Sequence, residues 1–233
     1  MLFSAVMIIK ETCELQQEKL DFKELAYFVN NTELQTPESE SVLEMTPNVF
    51  FRNLTPLIEE NSDCIGWICI PDTQVDYPIM YTPQNPQKYL RKNFYGEYSV
   101  SGVPFLEGNS TLESDNLIIY GHNMRNGTMF SDVTKYCDEE YYTEHPFIEF
   151  ETEYGLTMYD IFAVVCLKNT DDWYKFNDAQ DDVQFKSAIS EIKSRSLYFI
   201  STEPQYGQQL LTLSTCYGNN KSDRLVVIGA ERK

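Results

Sequence analysis

Cys216 ends the run Leu211-Thr212-Leu213-Ser214-Thr215-Cys216, and Arg224 follows eight residues later, at the head of Leu225-Val226-Val227-Ile228-Gly229. A thiol beside a guanidinium is the pairing expected of an activated nucleophile with a charged donor for a developing oxyanion. A free thiol is only about 3% thiolate at pH 7, so its surroundings must do part of the activation. A general acid or base is the third requirement, and histidine is the side chain suited to it near neutrality. There are two histidines, His122 and His145. His122 follows the apolar run 117–120 and Gly121, where a strand would end and present a side chain at a rim. His145 sits before Pro146 and reads as a turn histidine with a local hydrogen bond. A core cysteine beside a surface arginine remains the other reading of Cys216 and Arg224, and filler the other reading of His122.

The elements that must hold these residues follow from patterning. Apolar and polar residues alternate through 211–214, the period of a half-buried strand. Residues 225–228 are continuously apolar and rich in strand formers, as in a packed strand. Between them, residues 217–223 are dense in turn formers, so Cys216 and Arg224 should face each other across a hairpin mouth. Further strands are expected at 65–70, 75–80, 103–106, 117–120, 147–150 and 156–167. Helices are expected over 11–30, around 48–60 and over 127–137, with Met129, Phe130 and Val133 on one side, and a helical turn is expected at 88–92. The clearest helix begins at Asp181-Asp182 and runs to about Arg195, with Val183, Phe185, Ile189 and Ile192 as apolar positions and acids in its first turn. About eight strands without βαβ alternation point to a mainly β chain, a largely antiparallel barrel.

Bulk properties narrow the class. The 233 residues carry 18 basic and 36 acidic side chains, a net charge of -18, which excludes the basic footprint a nucleic-acid binder needs. Hydrophobic residues make up 42% and aromatics 14%, enough to build a core. Six cysteines in a chain of this length are too sparse for a disulfide scaffold. Cys64 and Cys69, five apart on one strand, point to opposite faces and should not bridge each other. With two histidines and no Cys-x-x-Cys, a zinc site is not expected, and no cofactor is implied. Residues 1–9 are apolar but shorter than a membrane span. They read either as the end of a membrane anchor or as the first turns of an amphipathic helix. Residues 30–47, acidic and broken by Pro37 and Pro47, read as a linker, dividing an N-terminal segment 1–47 from a compact domain 48–233.

Thr212-Leu213-Ser214-Thr215-Cys216 with Arg224, together with Tyr120-Gly121-His122-Asn123-Met124 and Gly127-Thr128-Met129-Phe130, resembles the sortases, the cysteine transpeptidases of Gram-positive cell surfaces, and class B best among them. The resemblance covers roughly residues 48–233. The helix at 181–195 is similar to the long insertion that marks class B, and Glu144-His145-Pro146-Phe147-Ile148 resembles a family segment preceding a strand. The resemblance implies an eight-stranded sortase-type barrel with N-terminal helices and a helix between the sixth and seventh strands. It implies Cys216 as nucleophile, His122 as general acid and later base, and Arg224 as the stabiliser of substrate and oxyanion. It implies that Leu90, Ser214, Thr215 and Tyr217 contact substrate. The nearest match to a family asparagine preceding Leu90 is Asn85, one residue out of register. Asp223 either orients the guanidinium or closes the turn. The implied partners are a C-terminal sorting peptide and an amine from a cell-wall precursor or a pilin, and the implied location is the outer face of the cell membrane, held through the N-terminus. The other functional reading is a silent or hydrolytic relative that binds peptides at the surface. A papain-like enzyme would place cysteine before histidine, whereas His122 precedes Cys216 by 94 residues.

Overall fold

The computed structural model describes residues 2–31 and 52–233. Within them, eight strands close a barrel in the order β1-β2-β3-β4-β7-β8-β6-β5. These are β1 Cys64–Cys69, β2 Asp76–Met80, β3 Phe105–Leu106, β4 Asn116–Tyr120, β5 Phe147–Thr152, β6 Gly155–Lys168, β7 Leu210–Cys216 and β8 Asp223–Glu231. The helices are α1 Leu2–Asn31, α2 Thr55–Glu60, α3 Glu139–Glu144 and α4 Asp182–Ser194, and α4 lies between the sixth and seventh strands as expected. The linker expected over 30–47 falls almost wholly outside the described residues, as does the start of the helix expected from 48. What is seen of that helix is α2, with Pro56 in its first turn, where a missing N–H costs nothing.

Most neighbouring strands are antiparallel, but β2 with β3 and β4 with β7 run parallel. The second exception positions the chemistry. Parallel neighbours deliver their C-terminal ends to the same edge of a sheet, so the residues after Tyr120 and the residue Cys216 emerge together. β8 is antiparallel to β7, with Cys216 opposite Arg224, so its N-terminal end reaches that edge too.

Period-two alternation sorts the strands into two apolar layers. Val164, Leu211, Leu213, Leu225 and Val227 fill the barrel interior. Phe162, Val165, Leu167, Val226 and Ile228 face outward and are covered by Phe185, Ile189 and Ile192 of α4. Asp181 caps that helix by accepting from the Gln184 amide at 2.8 Å. Val183, expected among the apolar positions, is instead 75% exposed. It lies two residues from Phe185, about 200° around the helix from the buried stripe.

The helix expected over 127–137 forms only as a 3-10 turn over Asp132–Cys137. Gly127 at φ +80° and Met129 at φ +57° take left-handed backbone that no right-handed helix accommodates. Met129, Phe130 and Val133 are nevertheless buried together. In α1, Phe22, Leu25 and Val29 pack against the barrel core, Phe22 edge-on to Tyr77 at 5.2 Å. The apolar residues from position 2 form the start of this helix, and no helix among the described residues is long and apolar enough to cross a membrane.

Candidate active site

His122, Cys216 and Arg224 line one cleft of about 360 Å³ on the outer face of β4 and β7. Its other walls include Leu90, Phe105, Glu107, Tyr120, Asn169 and Tyr174. Cys216 is exposed there, whereas burial pushes the Cys64 thiol up to about 11 and that of Cys69 to about 12. Those two are poor nucleophiles by environment.

Three hydrogen bonds between the ends of β4 and β7 hold the histidine loop against the cysteine strand. The Gly121 amide donates to the Ser214 carbonyl at 3.2 Å, Thr215 Oγ1 donates to the Gly121 carbonyl at 2.8 Å, and Asn123 Nδ2 donates to the Cys216 carbonyl at 3.1 Å. The loop is closed on its other side by the Phe130 amide, which donates to the His122 carbonyl at 2.8 Å. Gly121 is needed for space: a Cβ there would lie 2.5 Å from the Phe130 ring. Gly121→Ala should therefore cost about 1–3 kcal/mol of stability by overpacking and lower turnover by displacing His122. Urea melts and steady-state rates measure the two effects separately.

The imidazole has a backbone partner. His122 Nε2 lies 2.9 Å from the Leu90 carbonyl oxygen, so Nε2 carries a proton and donates it, which leaves Nδ1 as the other ring nitrogen. Burial draws the imidazole below its usual value, the Leu90 carbonyl opposes this, and the nearby Arg91 charge adds to the lowering. The carbonyl thus occupies the place an acidic side chain fills in a triad.

Leu90 belongs to the 3-10 turn Lys88–Arg91, which is anchored from below. Asp63 accepts from Lys88 Nζ at 2.5 Å and from Tyr89 Oη at 2.8 Å. Burial raises the Asp63 carboxyl, but these two bonds outweigh it and hold the group below the usual carboxylate range. A depressed folded value means that the contribution is present above the ordinary value of 3.8 and is lost as pH falls through the folded one. Asp63→Asn should lower stability at pH 7 by about 1–2 kcal/mol and abolish that part of the acid sensitivity, which denaturant melts at pH 7 and pH 3 would check.

Arg224 is held by its own turn. Nη1 donates to the carbonyls of Lys221 at 2.7 Å and Asp223 at 2.9 Å. The Asp223 side chain is spent elsewhere, on Lys168 and, at 2.9 Å, on Asn220. Asp223 therefore closes the turn with its carboxylate and steadies the guanidinium only through its carbonyl.

Of the residues expected to touch substrate, Leu90, Ser214 and Thr215 line the cleft. Ser214 and Thr215 are each 1% exposed, and their hydroxyls already serve Tyr174, at 2.8 Å, and Gly121. Tyr217 is placed elsewhere. It lies just past the end of β7, outside the cleft lining, and packs partly buried against the barrel core, where the nearby Cys137 thiol raises its hydroxyl. His145 takes the turn role expected of it, Nδ1 lying 3.1 Å from the Pro71 carbonyl.

Sequence reasoning missed the Leu90 carbonyl, Asn123, Glu107 and the tyrosine pair. Tyr120 and Tyr174 stack with centroids 6.0 Å apart, and burial raises the Tyr174 hydroxyl to about 12. Tyr174 sits in a short turn locked by Trp173, whose Nε1 donates to Thr212 Oγ1 at 3.1 Å. No spacing in the chain announces that contact.

A sequence model described as the sortase domain matches residues 68–232. The chain is 34% identical to sortase B of Listeria monocytogenes over 166 residues, covering 70% of this chain and 66% of that protein, just under two thirds of its length. Among solved structures it is similar to sortase B from B. anthracis in complex with AAEK1, at 26% identity and a TM-score of 0.78, covering 95% of this chain and 99% of that one. A Staphylococcus aureus sortase B-substrate complex shares the fold at a TM-score of 0.79 and 23% identity, with 95% and 99% covered. A barrel whose parallel β4 and β7 bring histidine, cysteine and arginine to one rim, matched by a family model over most of its length, places this chain in the sortase family, among class B relatives.

Proposed function

We propose that the protein is a class B sortase-type cysteine transpeptidase acting on the sorting signal of secreted proteins. The Cys216 thiolate attacks the scissile carbonyl carbon, and Arg224 stabilises the resulting oxyanion. Protonated His122 gives its proton to the departing amine as the C–N bond breaks, leaving an acyl-thioester on Cys216. An incoming amine then attacks the thioester carbonyl, loses a proton to His122 and expels the thiolate. The acceptor amine belongs to a cell-wall precursor or a pilin lysine, and the enzyme works at the outer face of a Gram-positive membrane to which its N-terminal segment tethers it. The observation that carries this reading is the convergence of Cys216, His122 and Arg224 on one cleft.

The test is incubation with a randomised peptide library and a labelled amine, with thioester capture on Cys216 read by mass spectrometry. An amide adduct formed through a Cys216 thioester is the expected result. Cleavage by water alone would mark a hydrolytic relative, and peptide binding without any thioester a binding module.

A further inference from the structure

The cleft has a second charged end that the chemistry above does not use. Glu107 directly follows β3, and its amide donates to the Ile118 carbonyl of β4 at 2.8 Å, so its backbone is part of the sheet. It lies two residues past Phe105 and therefore shares its face of the sheet, and both line the cleft. The carboxylate is oriented by its own turn: Oε2 accepts from the Asn109 amide at 2.6 Å and Oε1 from Asn109 Nδ2 at 3.0 Å. The next residue is wedged against a neighbouring loop, since a Cβ on Gly108 would lie 2.4 Å from the Pro86 ring.

A carboxylate held this way has lone pairs left over and no cation to meet them. The ion pairs among the described residues engage Asp63, Asp76, Asp132, Glu149, Glu151, Asp160, Asp171, Asp172, Asp182, Glu191, Glu203 and Asp223, but not Glu107. Arg224, the other fixed charge in the cleft, is turned to its own loop carbonyls. Tyr120 lines the cleft with both: burial raises its hydroxyl, Tyr174 and then the Glu107 charge raise it further, and the Arg224 charge lowers it.

The register sets the distance from the chemistry. Ile118, level with Glu107, pairs with Thr212, and Cys216 is four residues further along β7. At roughly 3.3 Å per residue, Glu107 lies about 13 Å from the nucleophile along the strands. That is too far to bind the attacking amine. An extended peptide covers it in about four residues, and fewer when a long side chain reaches back.

We propose that Glu107 is a specificity-determining residue that selects a lysine or arginine side chain two to four positions before the scissile bond of the sorting peptide. The inference rests on the transpeptidase reading and names the chemistry of its donor substrate. A charge-assisted contact in a half-enclosed cleft is worth about tenfold in kcat/KM and should act through KM, because it is made equally in the ground and transition states.

The experiment exposes the wild type and Glu107→Gln to a peptide library randomised at five positions before the scissile bond, scored by the acyl groups captured on Cys216. The wild type should enrich lysine and arginine over glutamate about tenfold at one of those positions. Glu107→Gln should reduce the preference to within about twofold, and Glu107→Lys should favour acidic residues there. Thioester formation with no basic preference, or with one that survives Glu107→Gln, overturns the proposal while leaving the transpeptidase reading intact. Absence of any Cys216 thioester on every peptide overturns both.

Discussion

Replacing Arg224 by lysine should lower kcat by about a hundred- to a thousand-fold while leaving the barrel folded. The lost oxyanion donor accounts for about 2.7–4 kcal/mol of barrel-side transition-state stabilisation. Charge is conserved in this substitution, so the effect isolates geometry. One guanidinium nitrogen, Nη1, is committed to the carbonyls of Lys221 and Asp223. That anchor fixes the plane of the group and leaves the remaining N–H donors for a ligand in the cleft. A lysine ammonium is a single point of charge on a flexible stem, and it must choose between the turn carbonyls and the oxyanion. Rapid-quench measurement of thioester formation would locate the loss in the acylation step. Near-normal turnover by the lysine variant would remove Arg224 from the mechanism.

Cys216→Ala should abolish both the thioester and the amide adduct, a loss of about 10⁴–10⁶ in rate. Its effect on stability should be within about 0.5 kcal/mol, because the side chain is exposed at the end of β7 and fills no core volume. Peptide binding should survive, since the cleft walls do not depend on the sulfur. Activity retained in this variant would require another thiol. Cys64 and Cys69 are poor candidates, their thiols pushed up to about 11 and about 12 by burial, and neither lines the cleft. A persistent adduct would therefore refute the assignment of the nucleophile.

How much of this could be read from the chain depends on how local each feature is. The facing of Cys216 and Arg224 is a local matter: two adjacent strands joined by a six-residue turn can pair in few registers, and the alternation through 211–214 selects one. The inserted helix is local too, with Asp181 as cap and Phe185, Ile189 and Ile192 on one stripe. Where patterning misled, backbone conformation intervened. The apolar residues of 127–137 are buried as expected, but the left-handed Gly127 and Met129 delay the helical turn to Asp132. Tyr217 was expected to contact substrate from the family resemblance, but it lies beyond the end of β7 and packs against the barrel core instead of lining the cleft.

Residue types and short-range spacing thus singled out a thiol, two histidines and a guanidinium and indicated a β-barrel carrying an inserted helix, while His122 as the imidazole of the site followed from the family resemblance. Tertiary structure alone decided that β4 and β7 lie parallel, and with that pairing His122, 94 residues before Cys216, comes to the same rim. It alone supplied the Leu90 carbonyl as the imidazole's partner, and the Glu107 carboxylate at the cleft's far end. The reason is physical: every residue has the same carbonyl, and strand pairings between distant segments depend on the packing of both barrel layers, which no short window of sequence encodes.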